Sequence, residues 1–199
     1  MTEANFILHL YSLPQTVFTT KEVSLIFSTI PYPHIRAKLA YFTKKGYLKR
    51  LRMGMYVKDK YEPLEFANKL YTPSYISLET VLQRAGIVFQ YYETIFVVSY
   101  LSRRVAVDGM SIYYRKMNKD ILYNTEGIEQ TDHYAIATKE RAFLDAIFLY
   151  KDYHFDNLFP LDWGKVHSLK KLYQSEIFER RVDTYYQLYI QEHAEHRAP

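Results

Sequence analysis

The stretch PHIRAKLAYFTKKGYLKRLRMGMYV, Pro33 to Val57, decides how the N-terminal part of the chain folds. Its first half predicts a helix, because Ile35, Leu39 and Phe42 recur at the spacing of one buried stripe. Gly46 is expected to end that helix, since glycine is common just after a last helical turn. The stretch therefore begins with a helix that buries one side and exposes the other.

The second half of the stretch, residues 47–57, is rich in β-branched, aromatic and basic residues and is interrupted at Met53-Gly54. This composition fits a short hairpin better than a second helix. Upstream, Ala4 to Leu13 is predicted to form a helix, and Thr19 opens the capping-box pattern of another. These elements stand in the order of a winged helix-turn-helix domain, which binds DNA.

The charges of the stretch favour DNA as its ligand. At about 100° per residue, a stripe beside the apolar one is expected to point outward. Its members are His34, Lys38, Tyr41 and Lys45. Lysine and arginine neutralise phosphates, histidine and tyrosine can also bond base edges, and a basic hairpin can reach the flanking backbone or minor groove. The candidate DNA-binding residues are His34, Arg36, Lys38, Tyr41, Lys44, Lys45, Lys49, Arg50 and Arg52. The alternative is an ordinary solvated face on a small helical domain.

The distribution of charge favours two domains. Residues 1–60 carry ten Lys or Arg against three Asp or Glu, a balance of +7, whereas residues 61–199 carry sixteen against nineteen, a balance of −3. Only the N-terminal part is therefore expected to meet a polyanion. We expect an α+β protein, with a winged helix-turn-helix at residues 1–60. Residues 61–199 are expected to form a C-terminal α/β domain with a small, mostly antiparallel sheet and packed helices.

The pattern changes several times in the C-terminal part. Strands are predicted at residues 94–100, 103–107, 111–115, 121–123 and 133–136. Ser77 is expected to cap a helix that ends at Gly86, and Thr138 to cap a central helix that is apolar nearly all round. Two more helices are predicted within residues 155–192, and the tail at residues 193–199 is expected to fray.

Composition excludes several classes of protein. An apolar fraction of 48% is ample for a packed core, and the absence of cysteine rules out disulfides, thiolate metal sites and cysteine nucleophiles. The first residues lack the basic region of a signal peptide, and no window approaches the apolar length that spans a membrane. We therefore expect a cytoplasmic protein with no membrane partner.

Three segments of the chain carry patterns that belong together. They are KKGYLKRLRMGMYV (Lys44 to Val57), PSYISLETVLQRAGI (Pro73 to Ile87) and YAIATKERAFLDAI (Tyr134 to Ile147). In this order and spacing they resemble the AbiEi family of antitoxins, the autorepressing partners in type IV toxin-antitoxin systems. The resemblance covers about residues 15 to 150. Val81 departs from it, because a small residue is expected there, and the tail beyond Tyr150 has no counterpart.

The resemblance implies a winged-helix domain that binds operator repeats in its own promoter and represses its own operon. It also implies a C-terminal domain that counters a nucleotidyltransferase toxin from the same operon, in phage defence, without requiring a stable complex. The expected partners are thus double-stranded DNA and that toxin. The chain is expected to be a monomer in solution or a dimer on DNA. No cofactor and no enzymatic activity are expected. The alternative is a winged-helix regulator whose C-terminal domain senses a small ligand.

A charged group on the predicted central helix has two interpretations. Its members are Lys139, Glu140, Arg141 and Asp145. They form either a partner-binding surface or a structural set in which Arg141 pairs with Asp145 one turn on, and the structural interpretation is favoured. Arg103-Arg104 is also left open, between a second basic spot opposite the hairpin, for DNA or toxin, and a charged strand edge.

An enzyme would need a cluster of metal ligands or carboxylates. The candidate sets are Asp132 with His133 and Glu140, or Asp120 with Glu129. No phosphate-binding loop or nucleophile motif accompanies them. His193 and His196 have the spacing of metal ligands, but their terminal position favours accidental spacing.

Overall fold

The computed structural model of the chain describes residues 3–195. Its N-terminal elements, in chain order, are α1 (Glu3–Ser12), β1 (Val17–Thr19), α2 (Thr20–Ile26), α3 (Tyr32–Lys44), β2 (Lys49–Arg52) and β3 (Met55–Val57). The three strands form an antiparallel sheet in the order β1-β3-β2. Each helix and hairpin strand predicted for this part of the chain is present.

Local chemistry sets the bounds of these elements. The Thr19 hydroxyl accepts a hydrogen bond from the Glu22 N–H at 3.1 Å, and the Glu22 carboxylate accepts one from the Thr19 N–H at 2.6 Å. This reciprocal pair is the predicted capping box. Gly46 and Gly54 follow α3 and β2 with φ of +77° and +74°. Because side chains disfavour such left-handed values, both turns favour glycine.

The remaining elements surround a second, six-stranded sheet. They are α4 (Pro63–Leu70), β4 (Ser74–Ile76), α5 (Glu79–Arg84), β5 (Ile95–Ser99), β6 (Arg103–Val107), β7 (Met110–Lys116), α6 (Lys119–Tyr123), β8 (Ile128–Gln130), β9 (Ala135–Ala137), α7 (Lys139–Tyr150), α8 (Trp163–Leu169), a 3-10 helix (Lys170–Tyr173) and α9 (Glu176–Glu195). The strand order is β6-β7-β5-β4-β9-β8. The expected mixture of helices and sheet is confirmed. The end of the tail expected to fray, including His196, lies outside the described residues.

Helix α7 is the central helix of this part, as predicted. Thr138 caps it by accepting a hydrogen bond from the Arg141 N–H at 3.2 Å. Its residues are buried from Glu140 to Ile147, and it packs against α5, α8 and α9. A helix that is apolar nearly all round thus lies inside the protein.

The second sheet is mixed: antiparallel pairs are the majority, as expected, but two parallel pairs were not predicted. β4 pairs with β9 and β5 pairs with β7 in parallel, while the other three neighbouring pairs are antiparallel. β4 and β8 were not predicted, because three-residue strands are too short to show alternation. The strand predicted at residues 121–123 is instead part of α6, since a short apolar run does not distinguish a strand from a helical turn.

The predicted Ser77 cap is also wrong. Leu78 is the N-cap of α5, with φ of +56° and no side-chain cap bond. The Ser77 hydroxyl instead donates to Asp145 at 2.8 Å. The Ser77 hydroxyl, which the local pattern assigned to the end of α5, therefore bonds instead to Asp145, a residue distant in the sequence.

The first sheet lies between two hydrophobic cores. Phe18 of β1 and Tyr56 of β3 belong to the core of α1, α2 and α3. Val17, Met55 and Val57, from the same two strands, belong to the core of the C-terminal elements. Successive side chains of a strand point to opposite faces, so each strand serves both cores. The N-terminal and C-terminal elements are therefore joined through a shared sheet as well as through the connector.

A buried carboxylate adds to this junction. Glu65 of α4 is fully buried, and its Oε2 accepts hydrogen bonds from the Thr16 N–H at 2.9 Å and the Thr16 hydroxyl at 2.6 Å. Its Oε1 lies 3.0 Å from the Lys69 ammonium, which also donates to the Val17 carbonyl at 2.7 Å. These bonds tie α4 to the segment that enters β1.

Arg141 of α7 is a fully buried cation with three kinds of acceptor, one of which is the Tyr75 hydroxyl at 3.3 Å. Its Nε donates to the Asp145 carboxylate at 3.4 Å, one turn along α7. Its two terminal nitrogens donate to the carbonyls of Glu126 and Ile121, at 2.8 and 2.7 Å. The favoured i to i+4 pairing is thus present, and the side chain also binds α6 and the turn that follows it.

Asp145 is fully buried as well, and it collects hydroxyl donors. Tyr75, Ser77 and Tyr173 donate to it at 3.2, 2.8 and 2.7 Å. Burial raises the pKa of Asp145, and the Arg141 guanidinium and these hydroxyls oppose that rise. The carboxylate therefore joins β4, α7 and the 3-10 helix through one set of hydrogen bonds.

We expect Asp145→Ala to lower the free energy of unfolding by about 3 to 5 kcal/mol, because it leaves Arg141 buried without its counter-charge. The measurement is urea unfolding at neutral pH. Asp132→Ala, at an exposed loop carboxylate, is the matched control and is expected to change stability by less than about 0.5 kcal/mol. Equal stability of the two variants would contradict a structural role for the buried pair.

Candidate nucleic-acid interface

Helix α3 is anchored by one face and exposes the other. Ile35, Leu39 and Phe42 are buried against α1 and α2, as the spacing predicts. The exposed candidates on this helix and its C-terminal cap are His34, Arg36, Tyr41, Lys44 and Lys45. Ala37 and Ala40 are exposed between them. Because these two side chains are small, the helix backbone can approach a ligand closely while the longer basic and aromatic side chains reach past it.

Lys38 differs from the other candidates on α3. It is only half-exposed, and its ammonium lies 5.7 Å from the centroid of the Phe6 ring on α1. The Lys45 ammonium, by comparison, is exposed and lies 5.8 Å from the Tyr41 ring centroid. The polar stripe predicted from the sequence therefore lies partly on the side of α3 that faces α1. Lys38 is its member closest to the hydrophobic core.

The β2–β3 hairpin exposes its tip and one unpaired arginine. Met53 at the turn is 94% exposed. The Arg50 guanidinium is exposed and makes no hydrogen bond or ion pair with any residue whose side chain the structure describes. Lys49, in contrast, lies 2.9 Å from the exposed Asp59 carboxylate. Arg50 is therefore the hairpin cation that is most available to a phosphate.

Arg52 and Arg103 converge on a single phenol. The Tyr71 hydroxyl accepts hydrogen bonds from the Arg103 guanidinium at 2.8 Å and from the Arg52 guanidinium at 3.2 Å. The bond from Arg103, together with that from Arg52, lowers the pKa of Tyr71 below its ordinary value. Of the two alternatives left open for Arg103-Arg104, the structure shows the charged strand edge: β6 is an edge strand of the six-stranded sheet and lies beside the hairpin, not opposite it. No local pattern marked Tyr71, because its two partners come from distant segments.

The segment that carries α3 and the hairpin contains no acidic residue, although Asp59 borders it and pairs with Lys49. No Asp or Glu occurs between Glu22 and Asp59 in the sequence. Of the basic residues in that interval, Lys58 is buried and donates to the carbonyls of Tyr11 and Leu13, and burial lowers its pKa. The others lie wholly or partly at the surface, where they create a potential that attracts polyanions.

Most of the charged group on α7 is buried. Arg141 and Asp145 are fully buried, and Glu140 is buried and accepts a hydrogen bond from the Asp162 N–H at 3.2 Å. Lys139 is partly exposed and lies 3.9 Å from Glu140, so a partner can reach only that member, and the three buried members are structural, as the favoured interpretation holds. Among the side chains that the structure describes, no group of three or more His, Asp or Glu is placed to hold a metal ion.

Comparison with known proteins adds no identity to these observations. No family model matches the chain, and no curated protein matches its sequence. Within the described residues, no helix is both long enough and apolar enough to cross a membrane. The interpretation of the interface therefore depends on the geometry and charge of α3, the hairpin and the Tyr71 site.

We expect the Tyr71 phenol to ionise at lower pH than an ordinary tyrosine, because two guanidinium groups favour its charged form. The difference between ultraviolet pH titrations of the wild type and Tyr71→Phe isolates this group. Arg103→Gln should raise its pKa, whereas Arg104→Gln, on the opposite face of β6, should not. Ionisation at the ordinary pH in the wild type would contradict the shared site.

Proposed function

We propose that the N-terminal elements form a winged helix that binds double-stranded DNA, with α3 in the major groove and the β2–β3 hairpin on the neighbouring backbone. The observation that carries the proposal is the exposed face of α3, where basic and aromatic side chains flank two alanines. The element order and the sheet order β1-β3-β2 support it.

The dimensions and chemistry of α3 suit this role. A helix about 10 to 12 Å across fits the B-DNA major groove, which is about 12 Å wide. Arg36 and His34 near the start of α3, with Tyr41 and Lys44 further along, offer donors to base edges. Sequence preference is expected from such contacts, because phosphate contacts alone do not discriminate between bases.

The hairpin suits phosphate binding. It begins soon after α3 ends, and the backbone N–H groups of Tyr47 and Leu48 bond back to the Phe42 carbonyl at 3.0 and 3.4 Å. The hairpin is thus held beside the basic C-terminal end of α3. Arg50, with its unengaged guanidinium, and Arg52 supply charges that neutralise backbone phosphates whatever the base sequence.

We further propose that this DNA binding represses the chain's own operon and that the chain is the antitoxin of a nucleotidyltransferase toxin. This part rests on the resemblance to AbiEi antitoxins. Two of the three resembling segments meet in the fold: Tyr75 and Ser77 of one segment bond to Asp145 of another. These two segments therefore pack together in this chain. The proposed antitoxin is a cytoplasmic protein that acts in phage defence.

DNA binding is tested by fluorescence anisotropy with a duplex from the gene's own promoter and a scrambled duplex, across a salt series. Arg36→Ala and Lys44→Ala are each expected to weaken promoter binding by about 1 to 3 kcal/mol and to reduce the preference for it, because they remove base contacts. Arg50→Ala should weaken both duplexes alike and reduce the salt slope by about one.

Lys119→Ala, at an exposed lysine of α6, is the matched control for loss of one positive charge. It should leave both affinities unchanged. If the Arg36 and Lys44 variants bind the promoter as the wild type does, α3 is not the recognition helix. If the wild type shows no salt-dependent binding to either duplex, the DNA-binding proposal fails.

The antitoxin role is tested by co-expressing the chain with the nucleotidyltransferase encoded beside its gene and measuring growth. The wild type should restore growth, and the Arg36→Ala variant should also restore it when both genes are driven by a foreign promoter, because neutralisation is assigned to the C-terminal part. Continued growth arrest with the wild type would contradict the antitoxin role without affecting DNA binding.

A further inference from the structure

A cavity of about 430 Å³ opens on one face of the six-stranded sheet, away from the DNA-binding elements. Strands β5, β6 and β7 form its floor, and side chains from α5 and α7 reach its edge. Its polar and aromatic lining includes Glu79, Arg104, Ser111, Tyr113, Arg115 and Tyr150. The volume lies in the range of small-molecule sites.

Strand alternation explains why these side chains meet. Ser111, Tyr113 and Arg115 alternate along β7 and so share one face of the sheet. Arg104 of β6 is the cross-strand partner of Tyr113 in the antiparallel register. Arg103, its neighbour, points to the opposite face and reaches Tyr71. The cavity and the Tyr71 site are therefore separate basic sites on the two faces of β6.

Both arginines in the cavity are held by aromatic rings. The Arg115 Cζ lies 4.4 Å from the Tyr150 ring centroid and 5.4 Å from that of Tyr113. The Arg104 Cζ lies 4.5 Å from the Tyr113 ring centroid. Within residues 3–195, neither guanidinium makes a hydrogen bond or an ion pair with the protein. Ring stacking fixes the two groups while leaving their planar N–H donors free for a ligand.

The one carboxylate among the described lining residues is already engaged. Glu79 accepts hydrogen bonds from the hydroxyls of Tyr150 and Tyr153, at 3.2 and 3.5 Å. Burial raises the pKa of Glu79, and the two phenols and the nearby Arg115 guanidinium oppose that rise. No ion pair joins it to Arg104 or Arg115 within the part of the chain that the structure describes. The cavity thus holds two cations whose charge no directly paired protein carboxylate neutralises.

We propose that this cavity binds the terminal phosphate of a small phosphorylated molecule. A phosphomonoester carries a charge of about −1.5 to −2 at neutral pH and three acceptor oxygens, which matches two guanidinium groups. A carboxylate or a nucleic-acid phosphodiester carries a single charge and matches one. The Ser111 hydroxyl, which is exposed and has no protein partner among residues 3–195, supplies a further donor.

Isothermal titration calorimetry of the full chain tests the site with inorganic phosphate, AMP and dimethyl phosphate. Phosphate and AMP should show saturable binding, and dimethyl phosphate should bind at least about tenfold more weakly, because it is a monoanionic diester. Arg104→Gln and Arg115→Gln should each weaken AMP binding about tenfold or more. Lys116→Gln, at the next residue of β7 and on its other face, is the matched control and should not.

Several outcomes would overturn the proposal. They are no saturable binding of phosphate or AMP in the millimolar range, equal binding of dimethyl phosphate, and retention of AMP binding in both arginine variants. Arg115→Lys keeps the positive charge but removes the planar fork, so it replaces Arg115→Gln if that variant fails to fold. Wild-type affinity in a folded Arg115→Lys variant would also contradict the assigned role of the guanidinium.

Discussion

The structure depends on a sheet whose two faces belong to different cores. Phe18 and Tyr56 pack under α3, while Val17, Met55 and Val57 pack against the C-terminal elements. With three short strands, this sheet would be marginal if either core were removed. Because the sheet lies between the cores, β3 belongs both to the hairpin and, through Met55 and Val57, to the C-terminal core. Glu65 strengthens the arrangement, because leaving a buried carboxylate without the Thr16 donors is costly.

The two parts of the chain also share a basic surface, although the sequence assigns most of the positive charge to one of them. The division at residue 60 placed the positive charge in the N-terminal part, and the balance of +7 against −3 supports that at the level of the sequence. In space, however, Arg103 of the C-terminal part lies beside Arg52 of the hairpin, with the Tyr71 oxygen between them. The positive surface beside the hairpin is therefore built from both parts of the chain.

What the sequence predicts well is local. The capping box at Thr19, the buried stripe of α3, the glycine turns and the hairpin each depend on residues within a few positions of one another. The i to i+4 pairing of Arg141 with Asp145 was predicted for the same reason. Its burial was not, because the carbonyls of Ile121 and Glu126 that satisfy Arg141 come from a distant segment. The parallel pairings, the Ser77 bond and the two-arginine cavity likewise depend on tertiary contacts that no local pattern carries.

The buried Arg141–Asp145 pair is better understood as a specifier of packing than as a source of stability. Removing two charges from water costs several kcal/mol per ion, and an apolar pair of similar size often gives equal or greater stability. In this arrangement three hydroxyls and two carbonyls lie within hydrogen-bond distance of the pair, and a packing that moved them away would leave buried charges unsatisfied. Those partners come from β4, α6 and the turn after it, and the 3-10 helix. Strand β9 directly precedes α7, and its parallel neighbour β4 supplies Tyr75 to Asp145, so the bonds of the pair connect α7 to the parallel part of the sheet.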